Sequence, residues 1–263
     1  MSKIEIENLS FHYGEAGQRS EVLEGVNLSV ESGEFVCLLG PSGCGKSTLL
    51  SILNGLHHAT GGEVRIDGAA VNGPGRDRAV VFQHYSLFPW LTAEKNVAFG
   101  IRQSGKKYTR QESQRLAADF LNKVGLSGAE KKYPAQLSGG MQQRVAIARA
   151  LAMEADILLM DEPFGAVDPK LRLELQELVG KLSKEHQKTV VFVTHDIDEA
   201  VLLADRIVVM EPKHIRAIET VTLPRPRSRD TLVQSEEYFQ LRKRLMSLFY
   251  ERVAENIGDE VVL

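Results

Sequence analysis

The sequence predicts an α/β fold built on a mostly parallel sheet, and three observations carry that reading. Apolar, strand-like runs (Phe35 to Leu39, Ile157 to Met160, Val190 to Val193) alternate with helix-patterned stretches. This is the order that yields parallel strands covered on both faces. The first run leads directly into a glycine loop and then an amphipathic helix, a strand, loop and helix in sequence. Finally, a polar, helix-prone stretch from about 84 to 150 replaces the β-branched runs, as a helical insertion would.

In order along the chain, Lys3 to Leu9, Val26 to Val30 and Gly62 to Asp67 read as strands, the last closed by the turn signal Asp67-Gly68. After the Gly40 to Thr48 loop, Leu49, Leu50, Leu53 and Leu56 are expected on one helix face. Arg110 to Val124 is helical within the insertion, and a further helix opens near Gly140. The strand Ile157 to Met160, helix Pro169 to His186, strand Val190 to Val193, helix Ile197 to Ala204 and strand Arg206 to Met210 follow. Residues 224–230, Pro-Arg-Pro-Arg-Ser-Arg-Asp, are linker-like, and Tyr238, Leu241, Leu245, Leu248 and Val253 mark an amphipathic tail helix. The expected division is a main domain over 1–223 and a linker plus C-terminal helix over 224–263.

Composition removes several function classes. The 263 residues are 43% hydrophobic and 25% charged, ordinary for a globular chain, and no apolar run nears the ~18 residues of a membrane span. The opening Met-Ser-Lys-Ile-Glu-Ile-Glu lacks the pattern of a secretory leader, so a cytosolic setting is expected. Two cysteines, Cys37 and Cys44, make no disulfide framework. With 32 basic against 35 acidic residues the formal charge is -3, so no nucleic-acid partner is expected.

The chemistry concentrates in a few motifs. Gly40-Pro41-Ser42-Gly43-Cys44-Gly45-Lys46-Ser47-Thr48 fits the phosphate-binding P-loop, in which glycines let backbone N–H groups wrap phosphates. Lys46 is expected on the β and γ phosphates and the Ser47 hydroxyl on magnesium. An apolar strand ends in Asp161-Glu162, whose side chains point different ways. Asp161 can hold the metal through water, while Glu162 faces the γ phosphate and polarises the attacking water; a helix cap is the plainer alternative. His195 follows the next buried strand, on the sheet edge where ligands bind in open parallel sheets. There it can hydrogen-bond the γ phosphate, or be merely structural.

Together, Gly40 to Thr48, Gln83, Leu137 to Gln142, Ile157 to Pro163, Ala166 to Asp168 and His195 resemble the ATP-binding cassette of ABC transporters over residues 3–215. The resemblance implies the ABC ATPase type of P-loop NTPase fold, with a mostly parallel sheet core, an N-terminal antiparallel β subdomain and a helical insertion. It implies ATP and Mg2+ as cofactors, with ATP hydrolysis as the activity. It identifies Leu137-Ser138-Gly139-Gly140-Met141-Gln142 as the family's signature sequence, with Met141 where Gln is commoner. In the family that segment holds the γ phosphate of ATP bound to a partner subunit, so a head-to-tail dimer of two copies is implied. Gln83 is implied to reach the metal and water, Asp168 the other subunit's nucleotide region, and Tyr13 the adenine. Spacing alone leaves Phe11 open beside Tyr13, and an N-cap role is open for Asp168.

After Gln83, His84-Tyr85-Ser86-Leu87-Phe88-Pro89-Trp90 puts aromatics on a predicted loop. These fit a docking groove for a permease helix, or a hydrophobic loop tucked into the insertion. Phe88 to Gly100 and Leu223 to Arg227 resemble the nitrate, sulfonate, taurine and bicarbonate importer branch. A peripheral subunit on the cytoplasmic face of the inner membrane is then implied, serving a permease and, indirectly, a solute-binding protein. The alternatives are a soluble ABC-type ATPase without a permease, against which the short Gln83 to Leu137 stretch argues, and a regulator that never turns over.

Overall fold

The computed structural model describes residues 2–14, 19–84 and 86–259, with side chains as far as 249. The strands are β1 (Ser2–Tyr13), β2 (Ser20–Glu31), β3 (Phe35–Leu39), β4 (Gly61–Ile66), β5 (Ala69–Ala70), β6 (Arg78–Val81), β7 (Ile157–Asp161), β8 (Thr189–Thr194), β9 (Arg206–Met210) and β10 (Ile215–Thr220). The helices are α1 (Lys46–Asn54), α2 (Ala93–Gln103), α3 (Arg110–Lys123), α4 (Gly139–Ala152), α5 (Pro169–Glu185), α6 (Ile197–Leu203), α7 (Arg229–Leu232) and α8 (Glu236–Asp259). They fall into two compact units: residues 1–73 with 191–263, and residues 74–190.

In the first unit an antiparallel sheet runs β2-β1-β4-β5. Buried positions on β1 alternate as Ile4 and Ile6, then resume at Leu9 and Phe11. The skipped beat lies at Asn8, φ 47°, where the register to β2 shifts. Such a bulge turns Leu9 and Phe11 back to the face that the alternation would have lost. The strand thereby continues to Tyr13, four residues past the predicted end. Elsewhere in this unit β3 pairs parallel with β9, and β10, unread in the sequence, adds antiparallel on the far side of β9.

Helix α1 ends where Gly55 adopts the left-handed conformation and donates its N–H to the Ile52 carbonyl. Leu56 therefore lies past the cap and is 50% exposed, correcting its expected place on the buried face beside Leu49, Leu50 and Leu53.

The linker-like composition of residues 224–230 hides a tightly held strap. Arg225 donates to the Leu203 carbonyl and the Asp205 carboxylate, and Arg227 to the carbonyls of Val201, Ala204, Val221 and Leu223. On α8 the expected apolar face is buried at Tyr238, Leu241 and Leu245. The side chain of Val253 lies outside the described residues, as does Tyr85.

In the second unit β6 and β7 are parallel neighbours, with Arg78 opposite Ile157 and Val81 opposite Met160. Helices α2, α3 and α4 pack on one another. Each begins at a hydroxyl cap: Thr92 for α2, Thr109 in a reciprocal capping box with Glu112 for α3, and Ser138 for α4. Helix α5 opens with Pro169 behind the cap Asp168. Within the described residues no helix is long and apolar enough to cross a membrane.

Candidate functional site

The loop between β3 and α1 belongs to the first unit. Gly45 sits at φ 107°, and a Cβ there would lie 2.7 Å from Leu23 Cδ2 and 2.9 Å from the Val22 carbonyl oxygen, so this turn admits only glycine. Lys46, the first helical residue, is 5% exposed and donates its Nζ to the carbonyls of Gly40 at 2.7 Å and Pro41 at 2.8 Å. Its ammonium is thus laced across the loop formed by Pro41, Ser42 and Gly43. No acidic residue occupies the first turn of α1, so its own side chains do not oppose its positive end. Ser47 is exposed and Thr48 half-buried at the same end. Burial pushes the Cys44 thiol above its usual range despite the Lys46 ammonium beside it, so this side chain is neutral filling.

On β1, Tyr13 is 45% exposed and meets Phe11 and His57 edge-on at centroid distances of 4.9 and 5.7 Å. Phe11 is buried beneath it, which leaves Tyr13 as the aromatic with a face to offer. His57 was not singled out in the sequence; a histidine pair after a glycine turn carries no specific signal of its own. His195 is exposed, between the end of β8 and α6, whose N-cap is Asp196.

In the second unit the β6 and β7 register explains a pair of polar side chains. Because Val81 stands opposite Met160, two further residues bring Gln83 level with Glu162, and Gln83 Nε2 donates to Glu162 Oε2 at 3.4 Å. Asp161 is the buried last residue of β7. Glu162 turns the chain at φ 43°, a left-handed conformation costly for a side chain of this kind. Strain of this sort persists where the surroundings over-determine it, and it clusters at functional sites.

The same unit holds the signature segment. Ser138 is exposed, and its Oγ accepts the Met141 N–H at 3.3 Å, capping α4. A Cβ on Gly140 would come within 2.8 Å of the Ala166 carbonyl oxygen, so glycine permits the start of α4 to close on the turn leading to Asp168. Gln142 Nε2 donates to the Leu137 carbonyl, and Arg144, unremarked in the sequence, ties Gly140 to the carbonyls of Val124 and Gly125. Asp168 Oδ1 accepts the Leu171 N–H, so its capping role is real and leaves Oδ2 available. The first turn of α4 carries no acid either.

Trp90 is 70% exposed, which removes the alternative that it is tucked inside the insertion. The shape of its loop comes from Asn96, fully buried and, like His57 and Arg144, without a signal in the sequence. Its Oδ1 accepts the Phe88 N–H, and its Nδ2 donates to the carbonyls of Phe88, Leu91 and Thr92. One amide satisfies four backbone groups of this turn and of the start of α2. Arg149 adds a hydrogen bond to the Ser86 carbonyl and lies 5.6 Å over the Phe88 ring.

The chain is similar to known proteins over most of its length. A family model described as ABC transporter matches residues 23–165. A bicarbonate transport ATP-binding protein of Synechocystis sp. is 46% identical over 254 residues, covering 95% of this chain and 90% of the relative. A nitrate import ATP-binding protein of Synechococcus elongatus is 46% identical over 237 residues, covering 89% and 86%. Among solved structures, a dimeric ATP-binding cassette in a post-hydrolysis state, bound to ADP and phosphate, superposes with a TM-score of 0.78. It is 37% identical and covers 84% of this chain and 100% of that one.

Proposed function

The chain belongs to the ABC transporter family as an ATP-hydrolysing cassette, and from that premise we propose that it energises an importer of nitrate, bicarbonate or a similar small solute. The observation that carries this reading is that two helix starts in one chain are free of acidic residues and suited to hold an anion, α1 behind the glycine loop and α4 behind Ser138. A head-to-tail pair of copies gives both a purpose: the loop Gly40 to Thr48 of one copy grips ATP, and Ser138, Gly139 and Gly140 of the other close on its γ phosphate. Tyr13 stacks on adenine, Gln142 supports the signature turn, and Asp168 reaches toward the other copy's nucleotide.

Glu162 accepts a proton from the attacking water, Gln83 orients that water, and His195 hydrogen-bonds the γ phosphate. Magnesium fits the donor chemistry: the Ser47 hydroxyl, the Asp161 carboxylate and the Gln83 amide oxygen are hard oxygen donors, which this ion prefers alongside phosphate and water. Bound there, it would neutralise charge on the β and γ phosphates. Exposed Trp90 and Pro89, with Phe88 beneath, are the docking point for a permease helix. The subunit is peripheral at the cytoplasmic membrane face, and a solute-binding protein delivers cargo to the permease.

The test is Glu162→Gln, which keeps shape and hydrogen bonding but loses the base. ATP affinity should persist while turnover falls about 10²- to 10⁴-fold, and ATP should trap a dimer visible by sizing chromatography. Parental turnover in this variant would sink the assignment.

A further inference from the structure

We infer that the C-terminal segment, residues 225–242, is a positioning device for His195, acting through α6. The inference rests on the reading of His195 as a γ-phosphate contact. Helix α6 has seven residues and starts two residues after His195. A helix this short has little stability of its own, so whatever holds it decides where it stands.

Both of its ends are held by the tail. In its first turn, Asp198 Oδ1 accepts from Tyr238 Oη at 2.8 Å and from Arg242 Nε at 2.7 Å. At its far end, the Leu203 carbonyl accepts from Arg225 Nη2 at 2.6 Å, and those of Val201 and Ala204 accept from Arg227 Nη1 at 3.1 and 2.5 Å. Cations at a helix C-terminus satisfy carbonyls left over by the helix and its dipole together.

From α6 to His195 the link is short and stiff. Asp196 Oδ1 accepts the N–H groups of Asp198 and Glu199, while its own N–H donates to Thr194 Oγ1. His195 therefore stands between a strand end and a closed cap, and a shift of α6 has no slack to vanish into. The grip on Asp198 is also distinct from the packing of α8, which uses Leu241, Leu245 and the Tyr238 ring. Burial and the hydrogen bond to Asp198 push the Tyr238 hydroxyl up to about 12, so it remains a donor throughout the neutral range.

The experiment uses the full chain with the double substitution Tyr238→Phe and Arg242→Gln, measuring kcat, KM and ATP affinity. Expected is a fall in kcat of about tenfold or more, as small misplacements of catalytic groups produce, with ATP affinity within about twofold. Arg242→Lys alone should keep kcat near the parent, because an ammonium can still reach Asp198. Gln240→Ala, on the exposed side of α8, should change nothing.

A folded double variant with parental kcat overturns the inference. So does a parallel loss of kcat and ATP affinity, the mark of general destabilisation. Should the double variant not fold, the isosteric Asp198→Asn is judged by the same criteria. His195→Ala separates the two levels. If it keeps full turnover, the reading of the site fails; if it loses turnover while the tail variants do not, only the positioning role fails.

Discussion

The two proposed anion cradles are built on opposite plans. At α1 the N-cap is Gly45, with no side-chain cap, and the site brings its own cation, Lys46, almost wholly buried. At α4 the cap is the exposed hydroxyl of Ser138, and the first turn, Gly139 to Gln142, contains no lysine or arginine. On that reading one is a socket whose own ammonium offsets part of the charge it would hold. On the proposed pairing the other is a face that offers amides and a hydroxyl, and it meets a cation only when a second copy brings nucleotide held by its own Lys46.

The largest effect should come from emptying the socket. Lys46→Ala removes the ammonium proposed to bond two phosphates and should weaken ATP binding by roughly a hundredfold, about 3 kcal/mol, as read by calorimetry on the isolated subunit. If the α4 cradle held nucleotide unaided, much of that affinity would survive and the contrast would collapse.

Next in size is Ser138→Arg. A bulky cation on the exposed face should leave monomer affinity within about twofold yet abolish ATP-dependent dimerisation and with it most turnover, a loss of about tenfold or more. Mixing this variant with Lys46→Ala gives a dimer in which one composite site carries both defects and the other carries neither. Activity should reappear on mixing; two variants that stay dead together would mean that the cradles do not meet across copies.

The smallest effect on the isolated subunit is expected of Trp90→Ala, which touches neither cradle. Basal hydrolysis should match the parent, while affinity for the permease drops by about 2 kcal/mol, the usual loss for an aromatic anchor. Undiminished permease affinity in a co-purification titration would take this loop out of the interface.

Much of this was legible in the sequence because the informative signals were local. The glycine loop, the Asp161-Glu162 strand end and Ser138 before a helix each declare themselves within a few residues. Nonlocal devices were not legible. The bulge at Asn8 that extends β1 to Tyr13 depends on the register to β2. Asn96 looks like any helix polar residue until four backbone groups of the preceding turn converge on it. The strap at Arg225 and Arg227 reads as a solvated linker because proline and arginine are usually exposed, and only the uncapped carbonyls at the end of α6 explain why these two are not. Leu56 misled for the reverse reason: its spacing was helical, but Gly55 had already ended the helix.

Trp90 is the only tryptophan in the chain, and it stands in water beside Phe88. The protein therefore carries a built-in optical reporter at one defined point. Its emission should be red-shifted and readily quenched by iodide in the isolated subunit. Anything that covers this loop will move the emission to the blue and shield it, in real time and without a label, so the arrival of a partner can be timed against the turnover of ATP.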